Sequence, residues 1–204
     1  GFAGILDGDG HKITNLYLNK CKLAADGTVP ADQRTKYIAL VGILKEVGVI
    51  KNLRLYGDIT GYSNVAGFAG YSYGTILNCR NYANVTAHSG NLGGICGYNE
   101  KGTIRDCYNA GKITAGYFNA GGIVACNKGA IENCQNDGEV AVENINTAYD
   151  YKRLNSAGGI VETNFGTIKN VLNTGYVHAP KYVAGIQAWF NGTVTQVMQS
   201  STLN

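Results

Sequence analysis

The sequence predicts an all-β protein, a right-handed parallel β-helix (β-solenoid) of about seven coils. A pattern of glycine, apolar and asparagine residues recurs roughly every 26 residues, which is typical of units that bury their apolar faces against their neighbours. Glycine makes up 29 of 204 residues and falls mostly on the repeated positions. The apolar runs are short, have period two and are too often interrupted by glycine for helices. The right hand follows the general preference of parallel crossovers.

One complete copy shows the repeating unit. Leu92-Gly93-Gly94-Ile95 opens it, Gly102-Thr103-Ile104 follows, and Cys107-Tyr108-Asn109 and Gly111-Lys112-Ile113 close it. We expect two or three short strands per unit, joined by tight turns in which glycine supplies a positive φ. Equivalent strands of neighbouring units are expected to pair in parallel, about 4.8 Å apart.

Six copies follow an opening segment, whose Ile13, Leu16 and Leu18 match Ile50, Leu53 and Leu55. The glycine–apolar anchors of the copies are Gly42-Ile43, Gly67-Phe68, Gly94-Ile95, Gly122-Ile123, Gly159-Ile160 and Gly185-Ile186. The second anchors are Ile50, Ile76, Ile104, Ile131, Ile168 and Val194. The predicted single domain 1–204 therefore divides into the opening segment 1–37 and coils 38–64, 65–91, 92–119, 120–156 (with an insertion at 143–156), 157–182 and 183–204.

Stacking of the copies predicts columns of equivalent residues. A column of small residues precedes the anchor glycine, with an exception in the first coil: Val41, Ala66, Gly93, Gly121, Gly158 and Ala184. An interior column follows the second anchor: Leu53, Cys79, Cys107, Cys134, Val171 and Val197. Two residues later comes an asparagine column, expected to hydrogen-bond along the axis and to tolerate left-handed backbone: Asn81, Asn109, Asn136 and Asn173.

The segments 93–99 and 102–111 resemble the GLUG motif, and the opening segment from Phe2 to Ile13 is similar to the one that introduces such arrays. The resemblance implies a large secreted or cell-surface bacterial protein. Such proteins include adhesin-like proteins and metal-dependent IgA-cleaving peptidases, in which the repeats are not the catalytic part. The chain departs from the motif at Ala125-Cys126-Asn127 and in its last copy, which lacks the asparagine and glycine after Val197.

The amino-acid composition restricts the classes of partner that this chain is expected to bind. The net charge is +3 with 15% charged residues and no run of lysine or arginine, so we expect no binding to nucleic acid. No stretch of about 18 apolar residues is present, so we expect no insertion into a membrane. The chain starts within a motif and shows no signal peptide. We therefore expect a fragment of a longer polypeptide with further domains.

No catalytic, metal-binding or cofactor-binding residues are predicted. The histidines His11, His88 and His178 belong to no His-Glu-x-x-His motif. Asp58 and Glu139 share an outward column but lie three coils apart, on the order of 14 Å, which is too far for a glycosidase pair. The segment 7–11 has the start of a calcium loop without its later ligands, and a glycine-rich turn is the better interpretation.

The cysteines alternate with leucine and valine, so reduced packing is the favoured interpretation. A disulfide between adjacent coils is the alternative, because stacking brings equivalent residues to a suitable separation.

Aromatic residues supply the candidate binding site. Tyr149, Tyr151, Lys152 and Arg153 lie in the long insertion, and tyrosine and arginine are favoured at recognition surfaces. Packing of this loop against the coils is the alternative. Further aromatic residues are expected in turns or just beyond interior strands: Tyr62, Tyr71, Tyr73, Tyr98, Tyr117 and Phe118.

The sequence-based hypothesis is a non-catalytic module of a secreted or cell-surface bacterial protein. It would act as an adhesin-like platform or a rigid stalk, with a host protein or glycan as partner. A spacer or substrate-docking region of a surface metallopeptidase is the first alternative. A carbohydrate-active β-helix is the second.

Overall fold

The computed structural model describes residues 1–22, 24, 28–143, 155–190 and 192–199. The regular elements of these residues are 28 strands and one short 3-10 turn, Ala31–Gln33. The strand pairings are parallel throughout the described part of the chain, which confirms the predicted all-β solenoid. The hand of the solenoid, the number of coils and the coil boundaries stay predictions. No helix in the described ranges is long and apolar enough to span a bilayer.

Three parallel sheets run along the solenoid. The first contains Lys36–Ile38, Ser63–Ala66, Leu92–Gly93, Asn119–Gly121, Ser156–Gly158 and Tyr182–Ala184. The second contains Val41–Leu44, Ala69–Ser72, Cys96–Asn99, Val124–Asn127, Val161–Asn164 and Gln187–Phe190.

The third sheet has 16 strands and bends at corners within each coil. Its strands before the bend are Ile5–Asp7, Val49–Lys51, Thr75–Leu77, Thr103–Arg105 and Ala130–Glu132. Those after it are Lys12–Asn19, Arg54–Gly61, Arg80–Asn81, Tyr108–Asn109, Gln135–Asn136, Asn84–Ala87, Ile113–Ala115, Val140–Val142 and Val177–His178. Thr167–Asn173 and Thr193–Gln199 run through the bend.

The predicted columns form the hydrophobic core of the solenoid. The second anchors stack in register, and all but Val194 at the end of the stack are almost completely buried: Ile50, Ile76, Ile104, Ile131, Ile168 and Val194. The interior column of leucine, cysteine and valine lies beside them in the same hydrophobic cluster from Leu53 to Val171. Val197 is 41% exposed, so its predicted interior position was wrong. Burying a side chain of this size contributes about 1.5–3 kcal/mol, so the stacked columns hold the coils together.

The first coil differs from its prediction. Val41 pairs with Ala69, so Gly42 lies opposite Gly70 and not opposite Gly67. The register differs because the connection from Leu44 to Val49 contains two more residues than its counterpart in the next coil. The match of Gly42 to the other anchors was therefore wrong by three residues.

The predicted register of the opening segment was also wrong. Leu6 takes the position opposite Ile50, and Ile13 lies opposite Leu55. The reason is again the length of a connection: the turn between these two positions contains two more residues in the opening segment than in the next coil.

The repeated glycines serve close approach and not positive φ as predicted. Positive φ among the described glycines occurs only at Gly10, Gly57 and Gly90, outside the anchors. An added Cβ at Gly94 would lie 2.3 Å from the Gly122 carbonyl oxygen. None of the predicted asparagine column has a positive φ. Six of the left-handed residues instead form a corner column of exposed or half-buried positions: Asn52, Asn78, Asp106, Asn133, Asn170 and Gln196.

Candidate binding surfaces

The predicted ligand-binding residues Tyr149, Tyr151, Lys152 and Arg153 lie outside the described residues. The ends of their insertion are described. Val142 pairs with Ala115, and Ser156 pairs with Asn119. The insertion therefore replaces a short corner between the third and first sheets. The site prediction stays a prediction.

The interior asparagines form a ladder along the axis, as predicted. Asn81 donates to Asn109 Oδ1 at 2.8 Å, Asn109 to Asn136 at 2.7 Å, and Asn136 to Asn173 at 2.8 Å. A second ladder, which sequence reasoning missed, joins Asn99 to Asn127 and Asn127 to Asn164 at 2.8 Å each. These amides are fully buried and bind one another, so they hold the coils in register. The spacing of the second set matches the repeat and could have revealed it.

The six cysteines are free thiols, in agreement with the favoured interpretation. Cys79, Cys107 and Cys134 line the interior column and donate to backbone carbonyl groups of neighbouring coils. Burial raises the pKa of the Cys79 thiol well above its usual range. The thiols therefore act as small packed groups in the core.

Three of the predicted aromatic residues meet on the second sheet. Tyr71 and Tyr98 stack with ring centroids 4.9 Å apart, and Tyr73 packs on Tyr71. The Tyr71 hydroxyl donates to Glu100 at 3.0 Å, and Lys128 Nζ lies 3.2 Å from the same carboxylate. Burial raises the pKa of Tyr71, and the hydrogen bond from Lys128 lowers the pKa of Glu100. The polar groups of this cluster thus bind one another.

The other predicted aromatic residues lie apart from that cluster. Arg34 lies over the ring of Tyr62 at 5.7 Å, and Tyr117 and Phe118 contact each other with centroids 6.3 Å apart. Asn155, at the end of the insertion, accepts a hydrogen bond from the Phe118 backbone at 3.3 Å. Asn155, a described residue at the end of the insertion, therefore lies beside the Tyr117–Phe118 corner.

A second tyrosine surface lies on the third sheet, and sequence reasoning missed it. Tyr56 and Tyr82 stack with centroids 4.7 Å apart and ring planes 8° apart. Arg80 lies over the ring of Tyr108 at 5.8 Å, and the Tyr108 hydroxyl donates to Asp137 at 2.8 Å. Burial and Asp137 raise the pKa of Tyr108 to about 12. The equal spacing of Arg54-x-Tyr56 and Arg80-x-Tyr82 in consecutive coils could have revealed this surface.

The outward carboxylates are separated by other side chains. Asn84 donates to Asp58 at 3.0 Å, and Lys112 lies 3.2 Å from Glu139 in the same column. His178 Nδ1 lies 3.9 Å from Glu139. Within the described ranges, no group of three or more His, Cys, Asp or Glu residues is arranged to hold a metal ion.

Glu162 is a fully buried acid that sequence reasoning missed. It occupies the position of Gly97 and Ala125 in the preceding coils. The hydroxyl groups of Ser156 and Thr163 donate to its two carboxylate oxygens at 2.5 Å each. Burial raises the pKa of the carboxyl despite these hydrogen bonds.

The chain resembles known proteins at the level of motif and fold. The GLUG motif matches residues 88–114. Halomucin of Haloquadratum walsbyi is 35% identical over 100 residues, which are 48% of this chain and 1% of halomucin. A solved structure of a candidate immunoglobulin A1 protease from Bacteroides ovatus matches with a TM-score of 0.58. That match covers 93% of this chain and 68% of the other at 21% identity, which shows a shared fold. These comparisons confirm the predicted resemblance: the chain is a repeat array that carries the GLUG motif.

Proposed function

We propose that this chain is a non-catalytic repeat module of a secreted or cell-surface bacterial protein, acting as an adhesin-like binding platform or rigid stalk. One observation carries the proposal. The inward columns are occupied mainly by packed apolar residues and by asparagine ladders, whereas the two tyrosine clusters lie on outward columns. Such a scaffold is stiff along its axis and presents side chains at a regular spacing.

The comparisons support the coarser part of the proposal. The GLUG motif and the similarity to halomucin favour a surface or secreted protein. The chain spans about 1% of the length of halomucin, so the activity of any whole protein containing it is part of the proposal. We expect further domains of the same polypeptide beside this module.

We place the ligand contact in the insertion, at Tyr149, Tyr151, Lys152 and Arg153. Binding residues are concentrated on loops that a rigid scaffold positions. Tyrosine and arginine dominate the binding energy of many interfaces. A host glycoprotein, bound through protein or glycan, is the expected partner.

The test measures binding of the chain to immobilised mucin and to secretory immunoglobulin A. The double variant Tyr149→Ala/Tyr151→Ala is compared with Tyr176→Ala/Tyr182→Ala, which removes two exposed tyrosines elsewhere. Loss of binding only in the insertion variant supports the platform. Binding to neither protein, or equal loss in both variants, contradicts it.

A second candidate function is a spacer or substrate-docking region of a surface peptidase. The observation in its favour is the fold shared with the candidate immunoglobulin A1 protease. Cleavage of immunoglobulin A1 by the intact polypeptide, compared with the same polypeptide lacking these repeats, tests this candidate. A large rise in KM with unchanged kcat on deletion indicates docking. Unchanged kinetics contradict it.

A further inference from the structure

Three cationic side chains lie one above another on the outer face of the third sheet. Lys12 pairs with Arg54, and Arg54 pairs with Arg80, in consecutive coils. All three are exposed. Neighbouring strands are about 4.8 Å apart, and like charges directly opposite each other destabilise a sheet. Among the described residues, none of the three forms an ion pair with a carboxylate.

The neighbouring acidic residues have other partners. Asp7 forms an ion pair with Lys51 at 3.0 Å. Asp58, four positions after Arg54 on the same strand, accepts a hydrogen bond from Asn84 at 3.0 Å. Neither carboxylate forms an ion pair with a cation of the column, so the three charged groups stay available, and groups of this kind form strong charge-assisted hydrogen bonds to anions.

Tyrosines flank this column on the same face. Tyr56 and Tyr82 follow Arg54 and Arg80 by two positions, so strand alternation turns them to the same side. Their stacking at 4.7 Å turns one face of each ring toward the other and leaves ring edges and hydroxyl groups for a ligand. Lys12, Arg54, Arg80, Tyr56 and Tyr82 together form what we term the basic–tyrosine patch.

We infer that the basic–tyrosine patch binds a linear acidic glycan that lies along the solenoid axis. Its carboxylate or sulfate groups bind to successive cations of the column, and its hydroxyl groups bond to the tyrosine hydroxyls. This inference rests on the proposed role as a binding platform and adds a ligand class and a second surface, separate from the insertion.

The tyrosine geometry favours a glycan over a nucleic acid. Single-stranded nucleic acids bind largely by stacking bases on free aromatic faces. Stacking covers one face each of Tyr56 and Tyr82, Tyr108 packs against Tyr82 with centroids 5.9 Å apart, and Arg80 lies over the Tyr108 ring. These contacts leave few ring faces for bases. The net charge of +3 is also small for a nucleic-acid surface. A column of three cations fits recognition of a few acidic groups on one segment of a glycan.

The test measures the affinity of the whole chain for dextran sulfate and polygalacturonate, with neutral dextran as control, by isothermal titration calorimetry. The variant Arg54→Gln/Arg80→Gln is compared with Arg105→Gln/Lys169→Gln, which removes the same charge from another outward column. We expect at least about tenfold weaker binding in the first variant and less than about twofold in the second. Salt dependence should fall with the first variant, since fewer counterions are released.

Three results overturn the inference: equal weakening in both variants, equal binding of neutral dextran, or tighter binding of a single-stranded oligonucleotide than of either acidic glycan. Circular dichroism and thermal unfolding verify that both variants are folded. Mucin binding, measured on the same preparations, separates this inference from the proposed function. Retained mucin binding without acidic-glycan binding overturns only the inference, whereas loss of both overturns the platform as well.

Discussion

The side-chain amide of Asn109 donates a 2.7 Å hydrogen bond to Asn136, one coil further along the solenoid, and both side chains are fully buried. Asn109 also accepts a hydrogen bond from Asn81 at 2.8 Å and donates to the Gly111 carbonyl at 3.0 Å. The Asn109 amide therefore joins three coils and closes a turn within its own. This arrangement satisfies polar groups that would otherwise be costly to bury.

Replacement of Asn109 by alanine is expected to lower the free energy of unfolding by about 2–4 kcal/mol. The substitution removes the ladder bonds and leaves the Asn136 oxygen without the donor from Asn109. Urea unfolding measures the effect. The control Asn84→Ala removes an exposed amide that bonds to Asp58 and should cost within about 0.5 kcal/mol. Equal losses in the two variants would show that the ladder does not stabilise the stack.

Gly94→Val is expected to lower the free energy of unfolding by at least about 1–3 kcal/mol. A Cβ at this position would meet the Gly122 carbonyl oxygen at 2.3 Å and Asn109 Oδ1 at 2.5 Å, so the backbone of two coils must separate. In the control Gly42→Ala, the nearest atom to the new Cβ lies 3.0 Å away, and a smaller loss is expected. An unchanged melting temperature for Gly94→Val would contradict the observed register.

Glu162→Gln is expected to stabilise the protein at pH 7 but not at about pH 4 or below. Burial raises the pKa of the Glu162 carboxyl. The unfolded chain therefore loses this proton at lower pH than the folded protein does. The carboxyl favours the folded state below its unfolded pKa, and that contribution is lost as pH rises through the folded pKa. Glutamine does not ionise and avoids this loss.

Thermal unfolding between pH 4 and pH 7 tests the role of Glu162. As pH rises, the melting temperature of the wild type should fall relative to that of Glu162→Gln. The control Glu46→Gln removes an exposed acid, and its melting temperature should equal that of the wild type at every pH. Parallel curves for wild type and Glu162→Gln would exclude a cost of ionising the buried acid.

The cysteines are expected to react with a maleimide at pH 8 on the order of 100-fold more slowly in the folded protein than in denaturant. All six are 7% exposed or less, and burial raises the pKa of Cys79 and Cys107. The reactive thiolate is thus scarce in the folded state. Mass spectrometry after denaturation should count six labelled thiols. A count of four labelled thiols would reveal a disulfide. Rapid labelling of the folded protein would contradict the packed cysteine column.

The repeat predicted the stacked columns from Ile50 onward because each inward position keeps a similar chemical type in successive copies. It failed where a connection changes length. The two additional residues between Leu44 and Val49 moved the first anchor. Spacing alone does not reveal whether an added residue lengthens a turn or shifts a strand, since both keep the glycine pattern intact.

The candidate surfaces were less predictable than the core. Outward positions change residue type from coil to coil, as when Asp58 and Asn84 are followed by Lys112 and Glu139 in one column. Solvent accepts many side chains at such positions, so periodicity carries little information about them. Contacts such as Tyr71 with Glu100 depend on neighbours about one repeat apart in sequence.

The sequence by itself determined the solenoid, its parallel coils and the inward asparagine and cysteine columns, because a packed interior accepts only matching shapes and paired polar groups at each repeated position. Only the tertiary structure decided that Lys12, Arg54 and Arg80 share one outward column, and that Glu162 is buried under Ser156 and Thr163. These relationships depend on the register between coils, which the lengths of the turns set.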